Sequence, residues 1–340
     1  MIHLFQLKPQ LAGEKRQWGF EFLARHSVAL AVGTGLLFSS CATLPRSEGE
    51  RALRLDQTAR LIEDVKAFGK TLGIEPTRAL SRTTREGPAL SMLWLWMQRA
   101  GTLALRRPID IHMAIGFAAE KERLKIEQVY RVDGYSVYYR QGNEFADSRA
   151  LATVAFAAEP IVRRVIVTLH EDLHDDANFA LPWELEEAIV TPLGSLAAVE
   201  YFRSRGDDAN SKNAAVSLNN ERTFSRELIA LAADTERLFA QWPVDEAKQR
   251  VLAQMAHYPA YQRQFERQTR GQHEATALEA KLSHDLAYYR YFDRIAALAG
   301  MAPNLKTLIE DLKALPADAP PDLVEAYLQN LAFRYRDMSN

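Results

Sequence analysis

A single cysteine, Cys41, occurs in 340 residues, so no intramolecular disulfide can form and stability must come from core packing. Excess charge is equally scarce. The 42 Lys and Arg against 44 Asp and Glu leave a net charge of −2, which gives no electrostatic footprint for nucleic acid. No segment recurs at a fixed period, which excludes solenoids and propellers. The strongest apolar run, Ser27 to Ser40, falls short of the ~20 residues of a bilayer span and contains Gly33 and Gly35. What is present is ordinary for a folded chain: 47% hydrophobic and 25% charged residues supply a real core and exclude bulk disorder.

The N-terminal region has its own order. Lys15, Arg16, Arg25 and His26 precede the apolar run, as a basic region precedes the apolar part of a signal peptide. The string Leu37-Phe38-Ser39-Ser40-Cys41 resembles a bacterial lipobox, in which small residues admit the signal peptidase and the thiol then receives lipid. Phe38 stands where a smaller aliphatic residue is commoner. Residues 1–40 therefore read as a signal peptide, and residues 41–50 as a lipid-anchored tether containing Pro45. Ala42, not an aspartate, follows the cysteine, which predicts the periplasmic side of an outer membrane in the bacterial cell envelope.

Helical signals dominate the rest. Ser47 to Glu50 forms a capping box, and Leu53, Leu55, Leu61, Val65 and Phe68 continue with helical spacing towards Gly73. A second helix is expected from Leu90 to Leu105, carrying Leu93, Trp94, Trp96 and Met97 as core fillers. Alternation predicts strands at Ile109 to Ile115 and at Tyr135 to Tyr139, framing a helix over about residues 118–131. Glu159-Pro160 starts a helix whose stripe is Val162, Val165, Ile166, Leu169 and Leu173. Pro182 opens the next, to about Arg203, with an interruption expected near Pro192 to Gly194. After a loop at 206–211 come helices over about 219–240, 244–269 and 272–299, a proline-rich break at Pro316 to Pro321 and a last helix from Leu323 to Tyr335. The expected fold class is mainly α (α+β), with a small β-sheet.

Within the helix that follows Pro160, His170-Glu171-Asp172-Leu173-His174 reads H-E-x-x-H. Residues four apart on a helix share one face, so both imidazoles can reach a single ion, while Glu171, about 100° round, can approach a water without being a ligand. Zinc needs a third protein donor, and a catalytic site leaves a fourth position open. Glu184, Glu186 and Glu187 all lie within reach, and acidic residues after Pro182 also suit the positive end of a helix dipole. Asp175 and Asp176 are candidates to orient an imidazole or to form a solvated helix end. His112, His257 and His273 lack partner spacing and receive no role.

These segments resemble a bacterial aminopeptidase family of lipoprotein-like zinc metallopeptidases, whose His-Glu-Leu-Ala-His motif is followed at the same interval by Asn-Glu-Ser-Phe-Ala-Thr. The corresponding stretches here are His170 to His174 and Glu186-Glu187-Ala188-Ile189-Val190-Thr191. Val199 to Phe202, Gly116-Phe117, Gly134 to Arg140 and Thr235 to Leu238 follow in the family's order, so the likeness runs over residues 110–310. Asp175 departs from the family's glutamine, and its Tyr-Ser-Thr-Leu-Gly-Trp-Phe segment has no counterpart after Arg140. The resemblance implies a gluzincin-like domain over residues 51–310 and a helical extension over 311–340. It favours Glu187 as third ligand beside His170 and His174, with Zn2+ as cofactor and Glu171 as the base. His284, in Ser283 to Tyr291, lies where the family tends to place a tyrosine and is a candidate to stabilise developing negative charge. The implied activity is aminopeptidase action on short peptides. The alternative is a non-catalytic envelope lipoprotein that keeps the fold as a scaffold.

Overall fold

The structure is a computed structural model that describes residues 48–84, 91–105, 108–116, 128, 134–143, 151–174, 178–179, 181–316 and 319–339. The signal peptide expected over residues 1–40, Cys41, Ser47, Asp175, Asp176 and, but for Gln128, the helix expected over 118–131 lie outside those residues.

Helix α1 (Glu48–Thr71) buries Leu55, Ile62, Val65 and Phe68 at helical spacing. Gly73, at φ +78°, ends it in the left-handed conformation that a glycine adopts without a Cβ penalty. Strand β1 (Arg82–Thr83) pairs in parallel with β5 (Leu151–Ala152). The main sheet is antiparallel in the order β3-β2-β4, from β2 (Ser91–Arg99), β3 (Ile111–Gly116) and β4 (Tyr135–Asn143).

The helix expected from Leu90 to Leu105 is therefore a strand, and the central one of its sheet. Trp94 and Trp96 pack on one face and Leu95 and Met97 on the other. With both faces covered, the alternation of a half-exposed strand disappears and an apolar run of this kind imitates a buried helix.

A short helix α2 (Val154–Ala158), capped by the Thr153 hydroxyl, leads into α3 (Ile161–Leu173). Pro160 is the cap of α3 and lies just outside it. Helix α4 (Trp183–Ser204) runs unbroken through Pro192 and Gly194, against the expected interruption. It is buried nearly all round, and that packing offsets the hydrogen bond that proline removes.

Helix α5 (Asp208–Gln241) begins inside the expected loop, capped by the Asp207 carboxylate. The two long helices expected next are each divided: α6 (Val244–Gln254) and α7 (Pro259–Gln268) flank a single 3-10 turn, and α8 (Glu274–Tyr289) is followed by α9 (Phe292–Ala299). Pro259 and the bend at Arg290 and Tyr291 make the divisions. Helices α10 (Leu305–Lys313) and α11 (Pro321–Ser339) complete the chain. Val324, Leu328, Leu331 and Tyr335 of α11 join the core that α3 and α4 share. A second core lies between the sheet and α5 to α9. The fold is mainly α with a small sheet.

Candidate metal centre

Val165, Ile166, Leu169 and Leu173 turn one side of α3 into the core and leave His170 and Glu171 on the edge that meets α4. His174 caps the C-terminus of α3 with ψ 84°, one residue beyond its last helical turn. Helix α4 comes close because residue 194 is glycine: a Cβ there would lie 3.1 Å from the His170 Cβ and 3.2 Å from the Ile166 carbonyl oxygen. Glu187, two turns earlier on α4, is thereby brought to both imidazoles.

The three donor atoms form a compact triangle. His170 Nε2 lies 3.0 Å from His174 Nε2 and 3.4 Å from Glu187 Oε2, and the remaining edge, His174 Nε2 to Glu187 Oε2, is 3.5 Å. Ligands about 2.0–2.1 Å from zinc at tetrahedral angles are about 3.3 Å apart, so these edges fit a zinc-sized ion. Neither Glu187 oxygen has a hydrogen-bond donor, which leaves both free for a metal.

The three neighbouring glutamates have separate partners. Glu184 accepts the Ile109 backbone N–H at 2.8 Å. Glu186 Oε1 lies 2.6 Å from His174 Nδ1, the ring nitrogen turned away from the triangle. It can hold that ring in the tautomer whose Nε2 is a ligand. Only Glu187 joins the histidine pair.

The buried acids and imidazoles shift one another strongly. Burial alone would raise Glu187, but the two imidazoles beside it, His174 above all through its charge, hold it at about 2. Burial would lower His174, yet Glu187, Glu186 and Glu171 together hold it well above the ordinary imidazole value. His170, for which burial wins, is lowered. Glu171 is only 2% exposed and burial pushes it well above the usual carboxylate range, while its Oε1 has no partner.

Asp172, on the far side of the motif, fastens α3 to α1. It forms an ion pair with Lys66 and accepts both the N–H and the hydroxyl of Thr77 at 3.0 Å. Asn178 Nδ2 donates to the Asp172 carbonyl at 2.7 Å.

His284 is buried, not exposed as a helical surface position would be. Its Nδ1 lies 2.9 Å from Asp285, which also pairs with Lys281 and accepts the Tyr261 hydroxyl at 2.9 Å. One turn further along α8, Tyr288 carries a buried hydroxyl with no partner. Burial raises its pKa first, and the charges of Glu187 and Glu171 raise it further, which places the phenol in the field of the metal-site carboxylates. The stretch from Ser283 to Tyr291 offers several candidates in the sequence, and the sequence alone does not single out Tyr288 among them. Sequence reasoning also gave His112 no role. That ring stacks on Trp183 at 4.7 Å and is held neutral, at about 4, chiefly by burial. His257 and His273 stand apart, exposed at helix ends. Val199, Tyr201 and Phe202 are core residues of α4, and Thr235 is buried within α5.

Among the described residues no helix is long and apolar enough to cross a membrane. No protein-family model matches the chain, and no curated protein or solved structure matches it either.

Proposed function

We propose that the chain is a zinc-dependent peptide hydrolase, an aminopeptidase acting on short peptides. The observation that carries this reading is the triangle of His170, His174 and Glu187 with Glu171 beside it. Zinc bound there would supply Lewis-acid polarisation of a carbonyl and acidify a water.

The chain's own groups supply the rest. Glu171 takes a proton at its unpartnered Oε1 and passes it to the leaving amine, a role suited to a carboxyl whose pKa burial has raised. Glu186 orients His174. Tyr288 donates its hydroxyl proton in a hydrogen bond to the oxygen on which negative charge develops. His284, whose ring centroid is 5.1 Å from that of Tyr288, positions the phenol. The same proposal sets the protein in the bacterial cell envelope, attached to the membrane through Cys41.

Deep burial of two of the three donors favours a second reading. Glu187 is 0% exposed and His170 2%, as suits an ion that stabilises a scaffold and never meets substrate. One experiment separates the two. Glu171→Gln keeps size and hydrogen bonding but cannot act as base, so peptide turnover should fall on the order of a hundredfold while zinc stays bound. A peptide-library digest followed by mass spectrometry reads the activity: single residues lost from N-termini support an aminopeptidase, and internal cuts replace it with an endopeptidase. Identical traces from wild type and variant, with zinc in both, leave the scaffold.

A further inference from the structure

The end of α3 away from the metal centre borders a cavity of about 680 Å³ between α1 and the α2–α3 junction. Arg54, Arg60 and Arg164 line it together with Asp64, Glu159 and Ile161.

Both carboxylates are already engaged. Asp64 accepts the Tyr201 hydroxyl at 2.7 Å and pairs with Arg205, and Glu159 pairs with Arg163 at 3.7 Å. Arg54 and Arg60 form no ion pair among the described residues. Arg164 spends one N–H on the Thr58 hydroxyl at 2.9 Å, and its buried Nε has no partner. Burial and then the charge of Arg54 hold the Arg164 pKa below its ordinary value, with Glu159 opposing them only in part, so the two guanidinium groups repel one another across the cavity. The N-terminus of α3 adds to the same field: Pro160 gives no side-chain cap, and the first turn has no acidic residue.

We propose that this cavity binds the phosphate group of a phosphate ester. Guanidinium forks match phosphate oxygens in pairs, and a tetrahedral anion with several charged oxygens around one centre can answer several forks where one carboxylate answers one. A volume in the range of small-molecule sites exceeds what free phosphate fills, so the remainder of the ester occupies the rest. The ester comes either from a soluble metabolite or from a phospholipid headgroup. The site is independent of the metal centre and of the hydrolase reading.

Isothermal titration of the full chain with inorganic phosphate tests the shared chemistry. Saturable binding is expected, with Kd raised tenfold or more in Arg54→Gln and in Arg60→Gln. Both variants leave the partly buried Arg164 in place, and an unchanged thermal midpoint shows that they fold. Cosedimentation with phosphatidylglycerol vesicles, against phosphatidylcholine vesicles, identifies the source. Pelleting with the anionic vesicles alone, lost in the same variants, assigns a lipid headgroup. Phosphate binding without pelleting assigns a soluble ester. The site is overturned if neither probe binds wild type, or if both arginine variants bind as wild type does.

Discussion

Gly194 of α4 lies directly against His170 of α3, so close that a methyl group there would push its neighbours back by a few tenths of an ångström. Alanine is the better helix former by about 1 kcal/mol, so propensity alone predicts that Gly194→Ala stabilises α4. The contact predicts the opposite. Backbone on one side and a ligand Cβ on the other must give way, moving Glu187 from the imidazoles. Zinc affinity should fall about tenfold, and a zinc titration beside a thermal melt will show whether it does.

The glutamates differ in expected effect. His170→Ala, His174→Ala and Glu187→Ala should each lose most bound zinc, because two protein donors hold it poorly against water. Glu186→Ala should weaken binding by about 10–100-fold through loss of ring orientation, and Glu184→Ala should leave it unchanged. Metal analysis after dialysis reads all five. Zinc retained by Glu187→Ala and lost from Glu184→Ala would mean that the third ligand has been misassigned.

Tyr288→Phe removes one hydroxyl from a packed ring. Its expected signature is a fall in kcat of about 10²-fold with KM and zinc content little altered. A change in KM alone would give the residue a role in binding substrate.

Glu221 sets a pH dependence remote from the ion. It is buried on α5, accepts the Ser195 hydroxyl at 2.9 Å and feels the positive charge of Arg163, with Tyr289 nearby. Burial raises it from 4.5 to about 7. The folded state therefore binds more protons than the unfolded state across that window, and stability falls as pH rises through it. Glu221→Gln should leave stability unchanged below the window and raise it by about 2–3 kcal/mol at pH 8. Denaturant melts at pH 4 and pH 8 supply the comparison.

Cys41→Ala should leave the precursor uncleaved at this position and unlabelled by fatty acid. Normal processing of that variant, with no label on the wild type, removes the anchor from the proposal.

The motif was legible because its chemistry is local: His170 and His174 are four residues apart, and the stripe from Val162 to Leu173 places their helix on the core. Glu187 was only partly legible. Three glutamates within one turn differ in direction by rotation about α4, and the close approach at Gly194 sets which one faces the imidazoles. β2 was misread because a central strand covered on both faces has no alternation to show. Tyr288 was hidden for a related reason. Nothing in Ser283 to Tyr291 distinguishes the aromatic ring in the field of Glu187 from those in the core, since that depends on where α8 lies against α4.

The clamp between Asp172, Lys66 and Thr77 has a consequence for the site, although it supplies none of the metal donors. A helix can satisfy its apolar stripe over a range of rotations, and here about 100° separates the direction of the proposed ligand His170 from that of the proposed base Glu171. By holding Asp172, Lys66 of α1 and Thr77 after it set the rotational phase of α3, and with it the bearing of His170 and Glu171 relative to α4. The N-terminal helix contributes no donor atom, yet it acts as the protractor of the centre. A fragment beginning after Thr71 would keep His170, His174 and Glu187 and lose the Lys66 arm of the device that aims them.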